Sequence, residues 1–371
     1  MDDTIDNPVE HAVDKWAGRK KSEEDTQIVD DYSKGIRRKW LFIIICVIAA
    51  FFAAGYSLKV GAYDIGYVET YKTVWNHIRD EIVSGNDDYV IWELKLPRTC
   101  TAVLAGAGLA AAGVVMQSIL RNPLADPYTT GISSGASFGA TLAIGLGISM
   151  GAAGYAVISN AFIFALIPMA VIIFVSKIKS ASPTTMIMVG IAVMYVFNAM
   201  TTMIKLFIDP DKLASLFEWS VGSLEGTNWS NVRLMFIVVV VGVTALLLLA
   251  RKLNVISTGD ESARSIGVDA DKLRIISLLI VSLLAAGIVS FTGLIGFVGL
   301  VCPHISRLVI GSDNRYLLLA SMAFGAALLL VADGIGRYVI SPSTIQVGVI
   351  TAFIGAPLFL YLIVKSKKET W

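Results

Sequence analysis

The chain is expected to fold as an all-α polytopic membrane protein with about ten transmembrane helices. Two observations predict this. Of its 371 residues 55% are hydrophobic and only 16% charged, and the mean hydropathy is +0.70, which exceeds what one soluble core requires. The apolar residues also fall in repeated runs long enough to cross a bilayer, where each central Arg or Lys would cost about 2.5 to 3.5 kcal/mol of insertion.

Residues 1–39 are polar and mixed in charge, and the segment lacks the apolar core of a signal peptide. It reads as a disordered cytoplasmic tail, and His11 belongs to it. The apolar transmembrane body follows over 40–366, and residues 367–371 form a short polar end. Eight runs read as spans: Trp40 to Leu58, Thr99 to Ile119, Tyr155 to Val175, Met186 to Ile208, Val232 to Ala250, Leu273 to Phe291, Tyr316 to Ala332 and Val347 to Val364. Two more, Gly131 to Ser149 and Phe297 to Ile310, are shorter or richer in glycine.

Positive charge sets the direction, because Arg37, Arg38 and Lys39 precede the first span and Lys365, Lys367 and Lys368 follow the last. Both termini are therefore expected in the cytoplasm of a multi-pass protein of the plasma or inner membrane. Lys59 to Glu93 and Asp209 to Glu225 then fall outside. The net charge of +1 gives no sign of a nucleic-acid partner.

Between two spans on the cytoplasmic side lies a polar island, Thr258 to Lys272, longer than a simple turn needs. Ser262 to Ile266 reads as a short helix, with Asp260 and Glu261 at its positive end and Gly267 just past its last turn. Such a shaped surface implies that something docks there. Ala263 and Ile266 are expected to face inward, and Glu261 and Arg264 outward.

Other features have plain packing readings. Glycine-rich runs at Ala105 to Gly113 and Gly293 to Gly299 lack the context of nucleotide loops, and small residues let helices approach closely in lipid. Gly131, Gly135 and Gly139 fit the same role. Cys46, Cys100 and Cys302 sit in or beside apolar runs without metal-ligand spacing. His304 has no sequence partners for a metal site, so no metal is expected. No GxxxxGK[ST] phosphate loop is present, so ATP is not expected to bind this chain.

Several short motifs occur in one order: Leu96-Pro-Arg98, Met116-Gln117, Arg121-Asn-Pro-Leu-Ala-Asp-Pro127 and Gly131-Ile-Ser-Ser-Gly135. Gly296 to Arg307, Ala332 to Arg337 and Gly355-Ala-Pro357 continue the series. Over roughly residues 40 to 366 the chain resembles the FecCD permease subfamily of ATP-binding-cassette importers, which carry iron-siderophores, haem or cobalamin. The resemblance implies the type II importer fold and a homodimer around a central path. It also implies two cytoplasmic ATPase subunits, which use ATP and Mg, and an extracytoplasmic substrate-binding protein; this chain holds no cofactor.

The resemblance also assigns roles. The stretch Asp260, Glu261, Ser262, Ala263, Arg264, Ser265, Ile266 and Gly267 matches the coupling helices that sit in a cleft of the ATPase. Lys95, Arg98 and Arg337 match basic positions that dock the binding protein; Lys95 replaces an arginine, and its single ammonium does not offer a bidentate contact. Ser182, Pro183, Thr184 and Thr185 match a narrow cytoplasmic gate, with Pro183 departing from the small polar residue expected and Thr184 the first choice for the gating side chain. On the fifth span Met194, Asn198, Thr201 and Thr202 are candidate path-lining residues on one helix face.

The expected function is transport of an iron chelate inward, with cobalamin or haem as the alternative cargo and no catalysis in the chain. An ion-driven secondary transporter would need carboxylates at mid-membrane depth, and the acids lie in loops, with Asp333 near a helix end. An intramembrane enzyme would need a Ser/His, paired Asp or HExxH arrangement, and none is present.

Overall fold

The computed structural model describes residues 23–365 apart from positions 62, 64, 82–84, 153 and 180. Every regular element among them is helical. Helix α1 (Glu23–Lys59) is followed by the short α2 (Tyr67–Ile78) and by α3 (Gly85–Leu120), which contains a π-helical stretch over Val90–Lys95. A 3-10 turn at Pro127–Thr130 leads into α4 (Ile132–Leu146), α5 (Ala156–Ile178), α6 (Pro183–Lys205) and α7 (Pro210–Val221). Then come α8 (Trp229–Ser257), α9 (Asp260–Ser265), α10 (Ala270–Thr292), α11 (Val298–Ile310), α12 (Asn314–Val339) and α13 (Val347–Lys365).

Seven of these are long and apolar enough to cross a membrane, and three shorter apolar helices, α4, α11 and α13, accompany them. Each predicted span coincides with one of the ten. Two boundaries differ most. Helix α1 begins at Glu23, so residues 23–39, expected to be a disordered tail, continue the first span as helix. Helix α3 begins at Gly85 rather than Thr99, because the π-helical stretch carries the backbone through Trp92 to Lys95 without a break. The rest of the tail, with His11, and residues 367–371 lie outside the described residues.

Local chemistry explains several helix starts. Asn228 and Asp269 accept the backbone N–H groups of Asn231 and Lys272, and Asp313 accepts that of Arg315. Pro183 and Pro210 occupy first-turn positions where an N–H would be unsatisfied.

Helix α3 is the buried axis of the bundle. Its Gly106 lies against the Gly325 carbonyl of α12, and its Gly113 against the Gly299 carbonyl of α11, with no room for a Cβ at either point. Gly135 and Gly139 of α4 meet the Phe164 and Asn160 carbonyls of α5 in the same way. Lipid gives no hydrophobic drive for helix association, so backbone contact of this closeness supplies the packing energy. Helix α6 is far less enclosed, and buries only Met186, Gly190, Phe197 and Thr201.

Candidate functional site

One end of the bundle gathers around α9. Gly259 at φ 131° and Gly267 at φ 80° bracket it, backbone angles that favour glycine. Ala263 is completely buried, as expected. Ile266 is 64% exposed, which corrects its expected inward position: the chain leaves helical geometry at Ile266, so the residue no longer follows the α9 face. Glu261, Ser262, Arg264, Ser265 and Gly267 are exposed as well.

Asp260 points back into the bundle. Its carboxylate pairs with Arg121, at the end of α3, and with Arg274 of α10, whose side chain is 0% exposed. The guanidinium of Arg274 donates to Asp260 Oδ2 at 3.0 Å, to the Ile119 carbonyl at 3.1 Å and to the Ala181 carbonyl at 3.5 Å. One buried cation therefore touches α9, the end of α3 and the residue before the predicted gate. Burial of such a charge is tolerable only with this degree of pairing. Nearby, Asp313 holds Arg315 at 2.7 Å and accepts from Asn254 at 2.8 Å. The Arg315 hydrogen bond, with Asn254 adding to it, holds the Asp313 carboxyl at about 2, below its ordinary 3.8.

Ser182 caps α6 by accepting the Thr185 N–H, and the Ser182 and Thr185 hydroxyls are 2.8 Å apart. Pro183, which departed from expectation, fits this cap because the first helical turn prefers it. Thr184 alone of the four is exposed. Along α6, Asn198 and Thr202 are exposed and Met194 is half-buried, whereas Thr201 is buried and cannot line an open path in this conformation.

The opposite end holds Lys95, Arg98 and Arg337, whose charged groups are turned largely into the bundle. Lys95 is buried and donates to the Lys59 and Tyr63 carbonyls at 3.0 and 3.1 Å. Arg98 and Arg337 both grip buried Asp333, each with an N–O distance of 2.8 Å. Arg337 also donates to Ser57 Oγ at 2.6 Å and to the Val60 carbonyl at 2.8 Å. In an apolar bundle a cation turns toward the nearest carboxylate and carbonyls rather than outward. Only Arg98 reaches the surface, where it lies 3.5 Å from exposed Glu225.

With this geometry in place, comparison decides the family. The FecCD transport family model matches residues 42–365. The chain belongs to the FecCD transport family. The permease is 39% identical over 92% of its length to a Methanocaldococcus jannaschii protein named only as an ABC transporter permease, covering 99% of that protein. It is 36% identical over 88% of its length to the Fe(3+)-citrate import system permease protein YfmE of Bacillus subtilis, covering 96% of it. It is 34% identical over 84% of its length to the hemin transport system permease protein HmuU of Yersinia pestis, covering 93% of it. A solved structure, an inward-facing conformation of a metal-chelate type ABC transporter, matches 87% of this permease and 99% of its own chain, with TM-score 0.77 and 31% identity. The permease is thus a multi-pass membrane transport subunit of type II importer fold, with ATP hydrolysis in a separate subunit.

Sequence reasoning missed Arg274, and assigned no partner to Asp333 or Arg121. Signals existed for two of them. Arg274 is a lone cation at the start of an apolar run, and Asp333 with Arg337 has the i, i+4 spacing of a helix pair. The link from Arg274 to Asp260, fourteen residues earlier, had no sequence signal.

Proposed function

We propose that this permease moves an iron chelate inward as two copies, driven by two ATPase subunits that bind on the α9 side and supplied by a soluble binding protein at the Arg98 end. Both termini then lie in the cytoplasm, as the basic residues flanking the first and last spans favour. The relatives named for Fe(3+)-citrate, iron-hydroxamate and hemin import support the cargo class. The thin burial of α6 supports a second copy, which would cover that helix and enclose Asn198 and Thr202 along the path.

The observation that carries the coupling role is the buried Arg274 clamp. An exposed knob fixed by one guanidinium to α3 and to the carbonyl beside Ser182 can pass a push toward the Ser182 to Thr185 gate as a rigid displacement. ATP and Mg would act only in the ATPase, which this chain senses through Glu261, Arg264 and Ile266. At the other end, Arg98 with its exposed neighbour Glu225 is the docking contact of this reading; Lys95 and Arg337 serve as the support beneath them. Cobalamin and haem are the alternative cargoes of the same machine.

The test is uptake into vesicles holding the permease, its ATPase and its binding protein, using radiolabelled Fe(3+)-citrate and Fe(3+)-hydroxamate with haem and cobalamin as competitors. ATP-dependent accumulation of iron chelate that requires the binding protein is expected. Accumulation without ATP, driven by an ion gradient, would remove the reading; accumulation of haem or cobalamin alone would move it to the alternative cargo.

A further inference from the structure

Helix α2 has three distinct faces. At 3.6 residues per turn, Tyr67, Val68, Tyr71, Trp75 and Ile78 fall within an arc of about 100°, and each is between 47% and 68% exposed. Glu69 and Lys72 point to a polar arc beside them and are also exposed. Thr70 and His77 form the third face, against the protein. Thr70 is buried, and His77 stacks on Trp92 at 3.8 Å and bonds Asp88 at 2.7 Å. Trp92 in turn lies 5.3 Å from Trp229, whose indole N–H donates to the Trp92 carbonyl at 2.9 Å. The helix is thus fastened to the body on one side, polar on a second and apolar on a third.

Its depth is set by Tyr71. The Tyr71 hydroxyl lies directly on Gly55 of α1, leaving no room for a Cβ there. Gly55 is one helical turn, about 6 Å, short of the end of α1 at Lys59. The Tyr71 side chain therefore reaches down beside the last turn of a spanning helix. The face of α1 at this level, Phe51, Phe52 and Tyr56, is exposed and apolar as lipid-facing residues are, and the aromatic arc of α2 continues that surface. Cations sit at its margins: Lys59 Nζ is 4.5 Å from the Tyr67 ring and the Arg79 guanidinium 4.6 Å from the Trp75 ring. Apolar rings below and cations level with headgroup phosphates are the arrangement of an in-plane interfacial helix.

We propose that α2 is a membrane-surface anchor, lying in the headgroup–acyl boundary of the leaflet at the Arg98 end with Tyr67, Val68, Tyr71, Trp75 and Ile78 in lipid. Because α2 is pinned to Trp92, this anchor fixes the start of α3, the helix that carries Lys95 and Arg98. The inference rests only on the membrane fold, not on the cargo or the ATPase.

The test uses nitroxide labels on Val68→Cys, Ile78→Cys, Glu69→Cys and Lys72→Cys in the full-length permease, reconstituted in phosphatidylcholine–phosphatidylglycerol vesicles, with the labelled wild type as background. Collision with oxygen should exceed collision with a water-soluble nickel chelate several-fold at positions 68 and 78, and the order should reverse at 69 and 72. Equal, nickel-dominated collision at all four positions would overturn the proposal and leave the face in water, open to a soluble partner. Low collision with both reagents at 68 and 78, with spin–spin broadening, would overturn it in favour of a second copy of the chain.

Discussion

Arg274 holds Asp260 from inside the helix bundle, with its two terminal nitrogens 3.0 Å from Oδ2 and 2.5 Å from Oδ1. The guanidinium is buried and the carboxylate is the first residue of the exposed α9. The pair converts a short surface helix, which could not hold its shape alone, into a part of the transmembrane body.

Breaking that pair should uncouple the permease before it unfolds it. Arg274→Ala removes a buried cation and the hydrogen bonds it donates to Asp260, Asp271 and the Ile119 and Ala181 carbonyls, and destabilisation of about 3 kcal/mol is expected from comparable buried pairs. Arg274→Lys keeps the charge but loses the fork that reaches Asp260 and the Ile119 carbonyl together. Both should retain ATPase co-purification while transport per ATP hydrolysed falls at least about tenfold, a loss of about 1.4 kcal/mol in coupling. Unchanged transport stoichiometry in Arg274→Lys would show that the clamp is only structural.

Asp333 neutralises two arginines at the opposite end. Asp333→Asn leaves Arg337 without its carboxylate and Arg98 with only the exposed Glu225 at 3.5 Å, and should cost about 3 kcal/mol, read as a lowered unfolding temperature in detergent. Arg98→Ala should be milder, because Arg337 still satisfies Asp333. A double-mutant cycle between positions 98 and 333 should give a coupling above about 1 kcal/mol; additivity would exclude the pairing.

At the α3–α11 crossing, Gly113→Ala places a methyl group on the Gly299 carbonyl. Neither backbone can yield without moving a whole helix, so a loss of about 1 to 3 kcal/mol is expected. A thermal melt matching wild type would mean the helices separate more easily than their packing indicates.

Asp313 predicts an acid limb. Its folded-state carboxyl is held near 2 against an ordinary 3.8, so its contribution, about 1 kcal/mol once screening of the exposed Arg315 partner is allowed for, is present above the ordinary value and is lost as the pH falls through 2. Melts between pH 5 and pH 2 should show this slope in the wild type and a flatter one in Asp313→Asn. An identical slope in both would assign the acid sensitivity to other carboxylates.

In the candidate gate, Ser182→Ala should remove the α6 cap at a cost of about 1 kcal/mol. Thr184→Ala, which breaks no side-chain hydrogen bond among the described residues, should leave stability unchanged while raising passive leak through the reconstituted importer. Leak that follows Ser182 rather than Thr184 would move the gating side chain to the cap.

The sequence alone determined that the chain crosses a membrane several times and where along it the polar island lies. These follow from local quantities, since apolar runs, flanking charge and glycine spacing need no knowledge of distant residues. The family motifs were likewise legible, because they are contiguous. Only the tertiary structure decided what the charged residues do. Arg98 and Asp333 are separated by 235 positions, and Arg274 reaches back 155 to the Ile119 carbonyl. Lys95 and Arg337 match docking positions in sequence, and in the bundle the scarcity of water makes internal carboxylates and carbonyls their best partners. Ile266 fits an inward helical position by periodicity, but the helix ends one residue before it. Charge pairing in an apolar medium is a property of the assembled bundle, and that is why the sequence placed the polar island while the fold showed how it is held.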